Sequence, residues 1–418
     1  MKLVIMTLGS MGDVRPYVAL GQGLMQAGFE VCIATHPEFE TFICSHGLDF
    51  RVIRGNPRQV LESPEGQALL QSGTNILKFA NYMKTAAADI LPQVYDDCLA
   101  ATEGADVLIL SFLAAGIGGL IAKTKNIKTI LAYLQPLTPT GAFASMALPN
   151  FYLGGFLNYW SHVLSRDIFW KVFWDSLNSW SQDRLGVKPP RQSLYKWLEK
   201  RSLVLYGYSR MLVPRPGDWP SHIHVTGYWG LNEGSHYQAS SELQDFLSAG
   251  DKPIYIGFGS MNSPNIEQVS DWIATALKQT AQRAILLKGW GGISESISNE
   301  QAMMLDKVPH DWLFPQMQGV IHHGGAGTSH AGLWSGVPSV ALPFFGDQDF
   351  WAQRLFGMGC GPRPVKQSQL NADKLAQVIQ ALVKHPGYVK RSQELSQRMR
   401  SEGGVKEAVA LTQRFLRV

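Results

Sequence analysis

The sequence predicts an α/β protein of two Rossmann-like domains, each built on a doubly wound parallel sheet. In its first half, short apolar runs alternate with segments of helical spacing, and a second series of this kind begins after a polar stretch. At 418 residues and 45% hydrophobic composition, the chain is also too long for one ordinary domain. We expect an N-terminal domain at 1–230, a linker at 231–241, a C-terminal domain at 242–400 and a final helical segment at 401–418.

The opening residues show the strand–helix rhythm. Residues 2–8 are strand-like, and Pro16 occupies a position where a helix can begin. Leu20 and Leu24 repeat at helical spacing, and Gly28 is placed to end that helix. The pattern then repeats, with a second strand around 31–33, a helix opened by Pro37 and ended by Gly47, and further strands at 107–110, 129–133 and 204–205.

The second half repeats this organisation after a polar stretch at 229–241. A strand at 253–258, a helix at 265–279 and a strand at 283–288 lead into a motif-rich run at 320–348, and a last helix is expected at 405–418. The second domain is therefore predicted to be another parallel sheet.

Composition excludes several classes of protein. A net charge of +4 without a dense lysine–arginine cluster argues against a nucleic-acid partner. The apolar run at the N-terminus is too short for a signal peptide. The four cysteines show no metal-binding or redox spacing and indicate a reducing, cytoplasmic compartment: Cys32, Cys44, Cys98 and Cys360.

Two apolar stretches bear on membrane contact. Residues 107–122 fall short of the roughly 20 apolar residues needed to cross a bilayer, so we interpret them as a buried strand and the start of a helix. Residues 151–180 carry ten aromatic and four charged residues. Three interpretations of this aromatic segment stay open: a stripe in the domain core, the wall of a lipophilic pocket, or a surface that enters a membrane interface.

The run at 320–348 predicts a binding site for a sugar diphosphate. It contains an apolar strand ending in His322 and His323, a turn with glycines, a helix opening near Thr328 and a second strand. Glycines let backbone N–H groups approach an anion, and a helix start favours negative charge. The histidines alone could be ordinary strand-end residues. However, Asp347 and Gln348 follow one strand later, at the sheet edge where open α/β folds bind ligands, and can hydrogen-bond to hydroxyls.

The loop after the first predicted strand gives a second indication of the chemistry. The segment 9–12 lacks the third glycine of a dinucleotide fingerprint, and residues 34–36 place no acidic side chain after the second strand. A nicotinamide enzyme is therefore disfavoured. Asp13 lies at the carboxyl edge of the first strand, where it could either cap the following helix or act on a ligand.

In these motifs the sequence resembles the family 1 glycosyltransferases of the GT-B fold, and most of all the sterol 3-beta-glucosyltransferases and related bacterial antibiotic and lipid glycosyltransferases. The resemblance extends over nearly the whole chain, in the run above and in residues 9–16, 34–39, 257–260, 289–292 and 308–314. It implies two domains facing a central cleft, with the last helix crossing back to the first domain.

The resemblance also implies roles for individual residues. Asp13 would be the general base, and Asp347 with Gln348 would bind the donor sugar. The donor diphosphate would be bound by Ser260, His323, Gly325, Ala326, Gly327 and Thr328. The nucleoside would lie against Val308, His310 and Gly289, although Lys307 stands where plant members carry a tryptophan. The acceptor pocket would comprise Met11, Phe151, Trp160, Trp170 and Trp174.

The reaction implied is an inverting transfer of a hexose, glucose from UDP-glucose, to a sterol-like hydroxyl. The UDP-sugar is a co-substrate, and we expect no further cofactor and no metal because the sequence shows no carboxylate cluster with metal-ligand spacing. Contact with a membrane surface is an open alternative to a purely cytoplasmic location. Polyketide, glycopeptide or carotenoid aglycones are alternative acceptors, and a silent sterol-binding protein and a UDP-sugar epimerase are rival functions.

Overall fold

The computed structural model describes residues 1–55, 90–148, 153–258, 266–289, 297, 300–344, 346–366 and 369–417. The chain divides into two compact units. Among the described residues, the first unit comprises those up to Leu231 together with Glu402 onward, and the second runs from Asn232 to Ser401. Both units are α/β, and the predicted pair of parallel sheets is confirmed.

The first unit contains a seven-stranded parallel sheet in the order β3-β2-β1-β4-β5-β6-β7. Its strands are β1 Lys2–Met6, β2 Glu30–Thr35, β3 Asp49–Val52, β4 Val107–Leu110, β5 Lys128–Tyr133, β6 Leu203–Tyr206 and β7 Ile223–Val225. Its helices are α1 Met11–Gln26, α2 Glu40–Ser45, α3 Leu91–Ala101, α4 Phe112–Lys125, α5 Gly155–Leu185 and α6 Tyr195–Glu199, and the C-terminal α14 Gly404–Leu416. Helix α14 packs against α1, and Ala408, Val409 and Leu416 are part of this unit's core.

The second unit contains a five-stranded parallel sheet in the order β10-β9-β8-β11-β12. Its strands are β8 Ile254–Gly257, β9 Ala284–Leu287, β10 Ala302–Leu305, β11 Gly319–His322 and β12 Ser339–Ala341. Its helices are α7 Ser241–Ser248, α8 Ile266–Thr280, α9 His310–Leu313, α10 Ala326–Trp334, α11 Gln348–Gly357, α12 Ala372–Lys384 and α13 Pro386–Arg400.

Both faces of the second sheet are buried. Ile254 and Ile256 lie in one apolar cluster, and Tyr255 between them lies in the cluster on the opposite face. Side chains alternate across a strand, so a strand covered on both faces must be apolar throughout. This is why the strands were recognisable as short continuous apolar runs.

The strand order fixes where a ligand can bind in each sheet. Helices leave the sheet on opposite sides at the point where the strand order reverses, which opens a crevice at the carboxyl ends of the two central strands. In the first sheet this point lies between β1 and β4, and in the second between β8 and β11. The loops that carry Asp13 and His323 follow β1 and β11, so each begins at such a crevice.

The prediction that α1 begins near Pro16 is wrong. The helix begins five residues earlier, at Met11, with Ser10 as its N-cap and Asp13 completing a capping box. Two reciprocal hydrogen bonds at the helix start outweigh the one backbone bond that a proline at the sixth helical position removes.

The polar stretch at 229–241 begins before the predicted linker, with a residue of the first unit. Trp229 is only 1% exposed, packs edge-on against Tyr17, and donates its indole N–H to Thr226 Oγ1 over 2.9 Å. A large aromatic side chain with its polar atom satisfied belongs to the core of the first unit.

Candidate active site

The turn after β11 has the backbone geometry of an anion site. His322 ends the strand fully buried, and Gly324 follows with φ +93°. Gly325 is the N-cap of α10, which begins at Ala326, two residues before the predicted start at Thr328. A Cβ added at Gly327 would meet no described atom within 4 Å. The first N–H groups of α10 therefore have space in which to approach a ligand oxygen.

The structure brings the glycine turn and the Asp347–Gln348 pair together. A Cβ on Gly324 would lie 2.9 Å from the carbonyl oxygen of Gln348 and 3.2 Å from its Cβ. Backbone of the two segments thus touches at the carboxyl edge of the sheet, as predicted from the order of the strands. The pair does not lie on an extended loop, because Asp347 is the N-cap of α11 and Gln348 its first residue.

Both side chains of the pair are oriented by neighbouring groups. Trp351 Nε1–H donates to Asp347 Oδ2 over 2.8 Å, and the Phe344 N–H donates to Gln348 Oε1 over 2.7 Å. The Trp351 ring also packs edge-on against His330 of α10, whose Nδ1–H donates to Ala326 O. These contacts connect the start of α10 with the start of α11. In the sequence, the only indication of the hydrogen bond between Trp351 and Asp347 was their four-residue spacing, which places two side chains on the same face of a helix.

The two histidines differ in their surroundings. The Gly324 N–H donates to His322 Nδ1 over 3.0 Å, so the His322 proton resides on Nε2, which has no hydrogen-bond partner among the described residues. The His323 ring lies over Gly325, since a Cβ on Gly325 would lie 2.5 Å from His323 Nε2. The buried Nδ1 of His323 has no hydrogen-bond partner in the part of the chain that the structure describes. Burial lowers the pKa of His323 to about 4. The pKa of His322 is held well below its usual range, first by burial and then by repulsion from the protonated forms of His323 and His310. Both rings are neutral at pH 7.

The residues assigned to the nucleoside lie in the same unit. His310 stacks on Phe314 with centroids 4.4 Å apart and lies 3.4 Å from the Tyr255 hydroxyl through Nε2. Val308 belongs to the core, so only its backbone remains to contact a base. Gly289 forms a turn with φ +60° after β9.

Asp13 lies in the first unit at the start of α1. Its Oδ2 accepts hydrogen bonds from the Ser10 N–H over 2.9 Å and from the Ser10 hydroxyl over 3.1 Å. Asp13 is therefore the third residue of α1 and supports the N-cap Ser10, whereas one of the two sequence interpretations placed it before the helix as the cap itself. Capping does not exclude acid–base chemistry, because a carboxylate has about four acceptor positions.

Of the five residues assigned to an acceptor pocket, the structure describes four, and these four lie in different surroundings. Trp160 is 50% exposed near the start of α5, whereas Trp170 is buried and donates its indole N–H to Pro190 O over 3.1 Å. The two are about 15 Å apart along the helix axis. Trp174 donates to the same carbonyl oxygen, and Met11 packs against the core of the first unit. Phe151 and the diphosphate-site candidate Ser260 lie outside the described residues.

Comparison with known proteins agrees with this architecture. Residues 3–104 match the glycosyltransferase family 28 N-terminal domain, and residues 296–413 match the erythromycin biosynthesis protein CIII-like C-terminal domain. The sterol 3-beta-glucosyltransferase of Debaryomyces hansenii is 33% identical over 97% of this chain and 26% of that protein. That of Saccharomyces cerevisiae is 34% identical over 98% of this chain and 34% of that protein. The chain belongs to the GT-B glycosyltransferases.

Solved structures show the same GT-B fold. The kitacinnamycin glycosyltransferase superposes with a TM-score of 0.71 at 17% identity, covering 99% of this chain and 98% of that one. The spinosyn rhamnosyltransferase in complex with the spinosyn aglycone gives 0.65 at 19% identity, covering 99% and 100%. At such identities the likeness establishes the fold. This GT-B chain spans about a quarter to a third of the length of its sterol 3-beta-glucosyltransferase relatives.

The buried histidines of this GT-B chain should make it acid-sensitive. Burial lowers the pKa of His162, His323 and His330 to about 4, from about 6.5 when unfolded. Between these values the unfolded chain binds more protons, so stability is present above pH 6.5 and is lost as the pH falls toward 4. Each group contributes up to about 1.4 kcal/mol per pH unit.

Urea unfolding between pH 7.5 and 4.5 checks this prediction. In His162→Gln the side-chain amide can still donate to Phe143 O, which His162 Nε2 contacts at 3.0 Å, but it does not titrate. The pH dependence of the variant should be shallower by about one proton. An identical slope in both proteins would contradict the assignment of His162.

Proposed function

We propose that the chain transfers a hexose, glucose from UDP-glucose, to the hydroxyl of a lipophilic, sterol-like acceptor with inversion to a β-glycoside. The observation that carries this proposal is the contact between the turn after β11 and the start of α11, where Gly324 meets Gln348. This contact supports the proposal that one sugar diphosphate binds both the first turn of α10 and the side chains of Asp347 and Gln348. The similarity to sterol 3-beta-glucosyltransferases supports the sugar and the acceptor class.

In the proposed mechanism, Asp13 takes the proton of the acceptor hydroxyl. The acceptor oxygen then forms a bond to the anomeric carbon of the donor sugar, and the bond from that carbon to the diphosphate oxygen breaks. The leaving UDP gains negative charge in the transition state. His323, Ser260 and the N–H groups of Gly325 to Thr328 would stabilise that charge, while Asp347 and Gln348 hold the sugar hydroxyls.

Release of UDP tests the reaction. The purified protein is given UDP-glucose with and without a mixture of sterols and other lipophilic alcohols, and the products are analysed by mass and by the proton coupling at the anomeric carbon. The proposal expects acceptor-dependent UDP release, a product heavier by one hexose and a β linkage. Conversion of UDP-glucose without acceptor would indicate an epimerase, and sterol binding without UDP binding would indicate a silent binding protein.

We also propose that the first turns of α5 contact a membrane interface. Phe156, Trp160 and Leu164 are 74%, 50% and 61% exposed and recur every four residues on one helix face. No Asp, Glu, Lys or Arg occurs in residues 153–165, and Lys171 and Asp175 are exposed further along the helix. Exposed aromatic and aliphatic side chains that include tryptophan suit the boundary between lipid and water. Among the described residues, none of the helices is long and apolar enough to span a bilayer.

Co-sedimentation with phosphatidylcholine–sterol vesicles checks the membrane contact. The triple variant Phe156→Ser, Trp160→Ser, Leu164→Ser should bind vesicles more than about tenfold more weakly, because each side chain contributes about 1.5–3 kcal/mol when buried. Met25→Ser and Val389→Ser, which alter exposed hydrophobic residues elsewhere, are the matched controls and should bind normally. Equal binding by wild type and triple variant would refute the contact.

A further inference from the structure

The loop between β1 and α1 is held by a histidine from the next strand. The Gly9 N–H donates to His36 Nε2 over 3.2 Å, and His36 is only 7% exposed. Gly9 has φ +131°, and a Cβ at this position would lie 2.4 Å from Asp13 Oδ2. The Gly9 backbone therefore lies directly against the carboxylate of Asp13.

The hydrogen bonds of His36 define its tautomer. Nε2 accepts a hydrogen bond, so the proton resides on Nδ1, which donates to the Ile53 carbonyl oxygen over 3.1 Å. Ile53 follows β3, and its own N–H donates to Thr35 O over 2.8 Å. The neutral ring thus joins the segments that follow β1, β2 and β3 at the carboxyl edge of the sheet. Strand pairing places these segments side by side, with Met6 opposite Ala34 and Thr35 opposite Val52.

We propose that His36 is a positioning residue for Asp13, the base in the proposed function on which this inference rests. Its Nε2 fixes the Gly9 N–H, and Ser10, the next residue, donates two hydrogen bonds to Asp13 Oδ2. A shift of the Gly9 backbone would move Ser10 and so the carboxylate oxygen. His36 acts through this loop and has no role in contacting the substrate.

Two substitutions separate the two hydrogen bonds of His36. The amide of Gln in His36→Gln reaches the position of Nε2 and can still accept from Gly9. The shorter amide in His36→Asn reaches the position of Nδ1, so it can still donate to Ile53 O but loses the bond to Gly9. We expect kcat to fall about tenfold in His36→Asn with the KM for UDP-glucose unchanged, and within about threefold of wild type in His36→Gln.

Hydrogen exchange provides a readout that does not depend on the reaction. The Gly9 amide should exchange faster in His36→Asn than in wild type or His36→Gln. Unchanged Gly9 exchange in His36→Asn, or equal loss of kcat in both variants, would overturn the proposal. If the wild type shows no transfer at all, the proposed function fails. Faster exchange of the Gly9 amide in His36→Asn alone would then still show that His36 fixes the loop between β1 and α1.

Discussion

Asp13→Asn should lower the rate of transfer by about 10²–10⁴-fold while leaving the affinity for UDP unchanged. That range is the usual contribution of a general base, and asparagine cannot take a proton at neutral pH. The substitution keeps an oxygen that can accept the Ser10 N–H, so the start of α1 should persist. The measurements are single-turnover rates with UDP-glucose and acceptor, and UDP binding by calorimetry.

Ser10→Ala is the matched control for this prediction. It removes the N-cap hydroxyl that donates to Asp13 Oδ2, and such a loss costs about 1 kcal/mol of stability. Transfer should fall far less in this variant than in Asp13→Asn, because the Ser10 N–H still donates to Asp13 Oδ2. If Asp13→Asn lost no more rate than Ser10→Ala, the carboxylate would serve only as a helix cap.

His323→Ala should weaken UDP binding by about 10- to 100-fold. A hydrogen bond to a charged partner contributes about 1.5–3 kcal/mol. His323 lies beside the first turn of α10, and none of the described residues is a hydrogen-bond partner of its buried Nδ1. Since burial lowers its pKa to about 4, the ring is neutral before UDP binds. A diphosphate raises that pKa, so binding near pH 5.5 should take up protons in wild type and fewer in the variant.

Calorimetry in two buffers of different ionisation enthalpy measures both the affinity and the proton uptake. His385→Ala is the control, because His385 is exposed, lies in the same unit and stacks on Tyr388. It should bind UDP as wild type does. Unaltered UDP affinity in His323→Ala would remove His323 from the donor site.

Much of the architecture could be predicted because the pattern is local. The strand at 107–110 and the glycines at 28 and 47 that end helices follow from apolar runs and backbone freedom, and the structure confirms them. The adjacency of the turn after β11 and the Asp347–Gln348 pair followed from parallel strands ending at one edge. The start of α1 at Met11 was missed because a proline indicates a helix start more strongly than the capping box of Ser10 and Asp13 does.

The parts that could not be predicted depend on contacts distant in sequence. The neutral state of His323 depends on burial, and the bond between Gly9 and His36 joins residues 27 positions apart. The aromatic segment is not uniform, because Trp170 lies in the interior and Trp160 at the surface. The aromatic residues around Trp160 and around Trp170 have the same helical spacing in the sequence. Only packing against other elements determines which of them are buried.

The contact at Gly324 has a consequence for redesign of the enzyme. The space between Gly324 and the Gln348 backbone is too small for a methyl group. The turn and the start of α11 therefore cannot shift independently. The distance between the proposed diphosphate and hexose sites is consequently set by main-chain packing. Under the proposed function, changes of the side chains at 347 and 348 should alter the sugar preference without altering the main-chain spacing between the two proposed sites.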